Sequence, residues 1–253
     1  MDSVIRISLI TVFSLFIGGC ANTNPDKRDQ EKTRDWDLVY ISDSTGWGVA
    51  KKYANNIEDD TGKTVHVKDY ATGGLSAIEV FDMIKNSAMS KEENLKSAIA
   101  EADVIVLFVN PRGDSSRGGV KAGLENCIDY ESGNPPDSCS VEMYHPYTEN
   151  LKSIYEAIFT LRNGQPTIIR ATDFYNPVIS EHRKHNMETE CTECLEAFNI
   201  PLISIYDAFN GSDHFEDPRE KGYIGDDGIH ASEKGRQVIA DLLSDVGYEP
   251  VKR

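Results

Sequence analysis

From Asp37 onward the chain alternates short β-branched or apolar runs with longer segments whose apolar residues recur every three to four positions. Runs such as DLVYIS and DVIVLFV carry apolar side chains at successive positions, so both faces of such a strand need cover. A parallel sheet with helices on both faces supplies that cover, which makes an α/β sandwich the expected architecture. Strands are expected at 37–42, 64–69, 103–109, 167–172 and 201–206. Helices are expected at about 46–58, 76–86, 91–101, 148–162, 182–198 and 231–245, the fourth with Leu151, Ile154, Tyr155, Ile158 and Leu161 on one face. The stretch 110–147, rich in Gly, Pro, Asp and Ser, reads as an excursion outside the sheet. In open α/β sheets ligands bind beyond the carboxyl ends of the strands, so the residues just after each strand matter most for function.

A chain of 253 residues without internal repeats is long enough for one domain with a full core. Its formal charge of -16 is spread along the sequence, with no basic run able to neutralise a phosphate backbone, which argues against nucleic acid as a partner. An acidic surface is also repelled by anionic lipid headgroups, so membrane attachment would need a lipid or an apolar segment.

The N-terminus offers both. Residues 7–17 (ISLITVFSLFI) form an apolar run behind Arg6, too short to span a bilayer and of the length of a signal-peptide core. Ile17-Gly18-Gly19-Cys20 resembles a bacterial lipobox, whose cysteine carries lipid as the first residue of the mature chain. Residues 1–20 are thus read as an export signal ending at Cys20, residues 21–34 as a polar tether reaching on the order of 20 Å, and residues 35–253 as the folded domain. The alternative, a plain signal peptide or an uncleaved anchor, also takes the chain out of the cytoplasm. Four cysteines then remain in a compartment that permits disulfides, and Cys127 and Cys139 bracket a loop they could staple.

Two features could carry chemistry. After the first strand, Ser42-Asp43-Ser44-Thr45-Gly46 places a serine at a strand-to-helix turn, where it either caps the helix or acts as a nucleophile beside free backbone N–H groups. Near the C-terminus, Asp227-Gly228-Ile229-His230 precedes an amphipathic helix. An aspartate three residues before a histidine on a turn can hold one ring nitrogen while the other faces a serine, and Asp226 competes for that role.

Ser-Asp-Ser-Thr at 42–45 resembles the Gly-Asp-Ser-Leu block of the SGNH/GDSL hydrolases, and Asp227-x-x-His230 resembles their C-terminal block. Thr72-Gly73-Gly74-Leu75 and Val109-Asn110 resemble the two blocks between, in the same order and each at the end of an expected strand. The resemblance runs from Asp37 to about Val246 and implies a three-layer α/β/α sandwich with a flavodoxin-like five-stranded parallel sheet in the order 2-1-3-4-5. It implies Ser44 as nucleophile, His230 as base and Asp227 as its orienter, with an oxyanion hole from the N–H groups of Ser44 and Gly74 and the side chain of Asn110. Such a site needs no metal or organic cofactor. The expected activity is hydrolysis of carboxylic esters, with short acyl or acetyl groups on small molecules or glycans. The other reading is a cell-surface protein that uses the same cleft to capture a glycan or lipid without cleaving it. The chain departs from the pattern at Ser42, Thr45, Phe108 and Pro111, the last two flanking the Asn110 block. Tyr175-Asn176-Pro177 resembles a stretch in some lipoprotein members of the family.

Other motifs in the chain admit plainer roles. His182-x-x-His185 and Cys191-x-x-Cys194 have the composition of a zinc site, but both halves fall on one expected helix, where four ligands do not easily converge. Pairing of Cys191 in a disulfide is the other option. Arg112, Asp114 and Trp47 could reach a substrate or belong to a solvated loop and a buried aromatic; His66 reads as structural.

Overall fold

Five parallel strands form one sheet in the order β2-β1-β3-β4-β5. They are β1 (Trp36–Ser42), β2 (Val65–Asp69), β3 (Val104–Phe108), β4 (Ile168–Thr172) and β5 (Leu202–Ile203). The computed structural model of the chain describes residues 34–86, 94–109, 141–177 and 192–251. The export segment with Cys20, the cysteines Cys127 and Cys139, the residues Arg112 and Asp114, and His182, His185 and Cys191 lie outside them.

Alternate side chains of the strands enter two separate cores. Leu38 and Tyr40 of β1 and Val104, Val106 and Phe108 of β3 pack with helices α1 (Val49–Thr61), α6 (Ile205–Asn210) and α7 (Glu233–Asp245). Val39 and Ile41, with Ile105 and Leu107, pack on the other side against α2 (Ala77–Lys85), α3 (Leu95–Glu101), α4 (Val141–Arg162) and α5 (Thr192–Phe198). This is the three-layer α/β/α sandwich that two-sided strands require. The register pairs Leu38 with Val104 and continues to Ser42 with Phe108, so β1 and β3 end at the same level.

Helices α1 and α7, from opposite ends of the domain, lie side by side. Tyr53, Ala54 and Ile57 share an apolar cluster with Ile239, Ala240 and Leu243. The Asn56 amide donates to Asp241 (3.0 Å) and to Ser244 (3.2 Å), and Lys52 is ion-paired with Glu233.

Three elements depart from the sequence expectation. The first helix starts at Val49 rather than near 46, because Ser44–Gly46 forms a separate 3-10 turn and Gly48 takes φ 76°. The 110–147 excursion is shortened at its end, since α4 is already helical from Val141; Tyr147 lies one turn before Leu151 and joins the same core. The fifth strand stops at Ile203 instead of 206. Ser204 caps α6, an unexpected helix, by accepting the Asp207 N–H, and Ile205 and Tyr206 bury their apolar bulk as helix residues. Of the helix expected at 182–198, the described part is Thr192–Phe198.

Asp173, directly after β4, receives the Ser204 hydroxyl at 2.6 Å and the Tyr206 N–H at 2.9 Å. Its carboxyl is 5 % exposed, and burial pushes it up to about 6 in spite of these donors. A folded-state value above the unfolded one means that protonation favours the native state between about pH 4 and 6. The charged form therefore costs about 2–3 kcal/mol of stability above pH 6. Urea unfolding across pH 4–7 is expected to show this loss in the wild type and a flatter profile in Asp173→Asn.

Candidate active site

Ser44 stands two residues beyond β1, at the head of the 3-10 turn. Asp43, 4 % exposed, fixes that turn by accepting the Thr45 N–H at 2.8 Å and the Thr45 hydroxyl at 2.5 Å on one carboxylate oxygen. The turn folds down onto the end of its own strand, and a Cβ at Gly46 would lie 2.5 Å from Ser42 Oγ and 2.6 Å from Tyr40 Oη. Only glycine permits that approach. Asp43 also ties the turn to β3 by donating its N–H to the Phe108 carbonyl at 3.3 Å. Asn110, two residues beyond Phe108, lies outside the described residues.

The loop after β2 extends the ladder with β1: Tyr70 N–H donates to Tyr40 and Thr72 N–H to the Ser42 carbonyl, at 2.8 and 2.9 Å. Leu75 N–H closes back on Thr72 at 3.1 Å, and inside this turn Gly74 takes φ 67°, a conformation that favours glycine. Ser76 then opens α2 with a capping box to Glu79. Gly74 is thereby held one strand away from Ser44.

His230 sits in a short loop closed by an antiparallel bridge between Ile224 and Ala231. One oxygen of Asp227 accepts the N–H groups of Ile229 and His230, each at 2.9 Å, and the other meets His230 Nδ1 at 2.7 Å. The two backbone donors, then the imidazole, hold the Asp227 carboxyl down at about 2. A carboxylate only accepts, so Nδ1 donates this bond and Nε2 takes no part in it. Of the two aspartates in the loop, Asp227 makes this bond; Asp226 is exposed and makes none with His230 among the described residues.

Two side chains outside the four blocks brace the arrangement. Trp47 stacks its indole on the His230 ring, centroids 5.3 Å apart, while its backbone N–H donates to the Ser44 carbonyl at 3.3 Å. Tyr175, after β4, donates its hydroxyl to the Ile229 carbonyl at 3.1 Å and stacks on Phe209. Next to it, the buried Asn210 side chain bonds both the N–H and the carbonyl of Asn176 at 2.9 Å. The Tyr-Asn-Pro stretch is visible in the sequence, but its anchoring role depends on a loop more than fifty residues away.

Among the described residues, Ser44 Oγ, the N–H groups of Ser44 and Gly74, and His230 Nε2 make no hydrogen bond at this end of the sheet. No hydrogen bond joins Ser44 Oγ to His230 there; the imidazole reaches the serine turn through Trp47. The arrangement provides an oriented imidazole, a hydroxyl, and amide donors for a developing negative charge.

Because its folded-state value lies below the unfolded one, Asp227 contributes stability that is present above about pH 4 and lost as pH falls toward 2. Carboxyl-carbon NMR is expected to find Asp227 titrating near 2, and His230→Asn to raise it only partway, since the two backbone donors remain.

No family model matches the chain. A spore germination lipase, LipC, of Bacillus licheniformis is 23% identical over 212 residues, which is 79% of this chain and 87% of that protein. Among solved structures, the lipase Lip_vut3 from a goat rumen metagenome superposes with a TM-score of 0.64 at 21% identity, covering 85% of this chain and 98% of its own. Acetyl xylan esterase Axe2 of Geobacillus stearothermophilus, in a variant form, gives 0.56 at 13% identity, covering 88% and 100%. A lipase/acylhydrolase from Enterococcus faecalis gives 0.53 at 16% identity, covering 86% and 99%. With its sheet order of 2-1-3-4-5 and helices on both faces, the chain has the fold of the SGNH/GDSL hydrolases.

Proposed function

We propose that this chain is a serine ester hydrolase in which Ser44 is the nucleophile, His230 the base and Asp227 its orienter. The observation that carries the reading is the Asp227–His230 pair, bonded at 2.7 Å through Nδ1 with Nε2 uncommitted, beside a turn whose serine hydroxyl and amide are uncommitted too. The likeness to a lipase and to an acetyl xylan esterase supports ester bonds as the target.

In the first step His230 Nε2 takes the proton of Ser44 Oγ as that oxygen bonds to the ester carbonyl carbon. Asp227, ionised throughout the working range, balances the imidazolium. The negative charge on the carbonyl oxygen falls to the N–H groups of Ser44 and Gly74 and to the Asn110 side chain, where one such donor is typically worth about 3–4 kcal/mol. The carbon–oxygen bond to the alcohol then breaks, and the alcohol leaves with the proton from His230. Water, deprotonated by His230, attacks the acyl-serine, and loss of Ser44 releases the carboxylic acid. The substrate class that fits is a short acyl or acetyl ester of a small molecule or glycan. We further propose that the enzyme works outside the cytoplasm, held to a membrane by lipid on Cys20.

The test is hydrolysis of p-nitrophenyl acetate and butyrate by purified protein. Ser44→Ala is expected to lower kcat by a factor on the order of 10⁴ or more, with the circular dichroism spectrum unchanged. Asp227→Asn is expected to lose on the order of 10²–10⁴, and Asp226→Asn to stay near wild type. Undiminished turnover by Ser44→Ala would sink the assignment.

A further inference from the structure

Trp47 is 43% exposed, a large apolar surface left in water at the end of the sheet where function is expected. Its neighbours make sense of that cost. The residue closes the 3-10 turn of Ser44 through its own N–H. Its ring lies over His230 with centroids 5.3 Å apart and planes 21° from parallel. A Cβ at Gly73 would lie 3.2 Å from the indole Cζ2, so the loop that carries Gly74 runs directly beside the ring. One side chain thus borders the serine turn, the imidazole and the glycine loop.

The bond from Nδ1 to Asp227 fixes one direction of the imidazole but leaves the ring free to tilt about that bond. A flat neighbour against the ring face removes the tilt. An aromatic face also favours a cation placed over it, so the same contact stabilises imidazolium over imidazole. We propose that Trp47 is a positioning residue for His230, holding the plane of the ring so that Nε2 addresses Ser44 and stabilising the charge the ring acquires. This rests on His230 acting as the base. The charged groups on the surrounding elements are Asp227 and Asp226 of the same loop, Asp43 at the head of the serine turn, and Lys52, Glu233 and Arg236 where α1 meets α7. Trp47 adds an uncharged contact that none of them supplies.

The chain has two tryptophans, so Trp36→Phe leaves Trp47 as its sole indole. Imidazolium quenches indole fluorescence on contact. The emission of Trp36→Phe is expected to step down on acidification, and this step is expected to vanish when His230→Asn is added. In p-nitrophenyl acetate hydrolysis, Trp47→Leu is expected to lower kcat on the order of 10-fold, with KM within about twofold, and to move the acid limb of the pH profile downward. Trp47→Phe, which restores a flat ring, is expected to recover most of the loss. Absence of the His230-dependent emission step would overturn the proposal, as would a Trp47→Leu enzyme with unchanged kcat or with a rise in KM alone. The emission step needs no turnover, so it separates failure of the stacking role from failure of the hydrolase reading, which Ser44→Ala tests by itself.

Discussion

The constraint on which the rest depends is that β1 and β3 are buried on both faces. Leu38, Val39, Tyr40 and Ile41, and Val104, Ile105 and Val106 opposite them, are all completely shielded from water. Fully burying one such side chain contributes about 1.5–3 kcal/mol, so the gain needs helices above and below the sheet. With both faces covered, the strand ends are where polar side chains can meet solvent and a ligand. The register that ends β1 and β3 together at Ser42 and Phe108 brings the following turns to one level.

On that base the site is held by local bonds of different kinds. Asp43 shapes the serine turn from within, Thr72 hangs the glycine loop from the Ser42 carbonyl, and Asp227 organises its own loop with three donors. Together these closures leave particular atoms unused among the described residues: a hydroxyl, two amides and one imidazole nitrogen. A turn that satisfied all its donors internally would be no less stable, but it would offer nothing to a developing charge.

This division explains how much the sequence reveals. Strand positions and sheet order follow from periodicity and from the ordered blocks, and the Asp227–His230 spacing is legible because the bond spans a single turn. The contacts made across the fold are not. The β-branched and aromatic character of Ile205 and Tyr206 suggests strand, yet Ser204 and Asp173 together start a helix there. Nothing local to Tyr175 predicts that its hydroxyl will meet the Ile229 carbonyl, and nothing near Trp47 predicts a histidine 183 positions later as its ring partner. The helix expected from about 46 begins only at Val49, because the separate turn depends on Asp43 taking the Thr45 N–H.

The packing of α1 against α7 has a consequence in time as well as in space. Ser44 lies in the turn before one of these helices and His230 in the loop before the other, and their clamp joins residues more than 180 positions apart, as in Asn56 with Asp241. A ribosome releases the serine turn long before the histidine loop. In the proposed mechanism a growing chain therefore carries Ser44 without the imidazole that would activate it until the helix after His230 packs against the first.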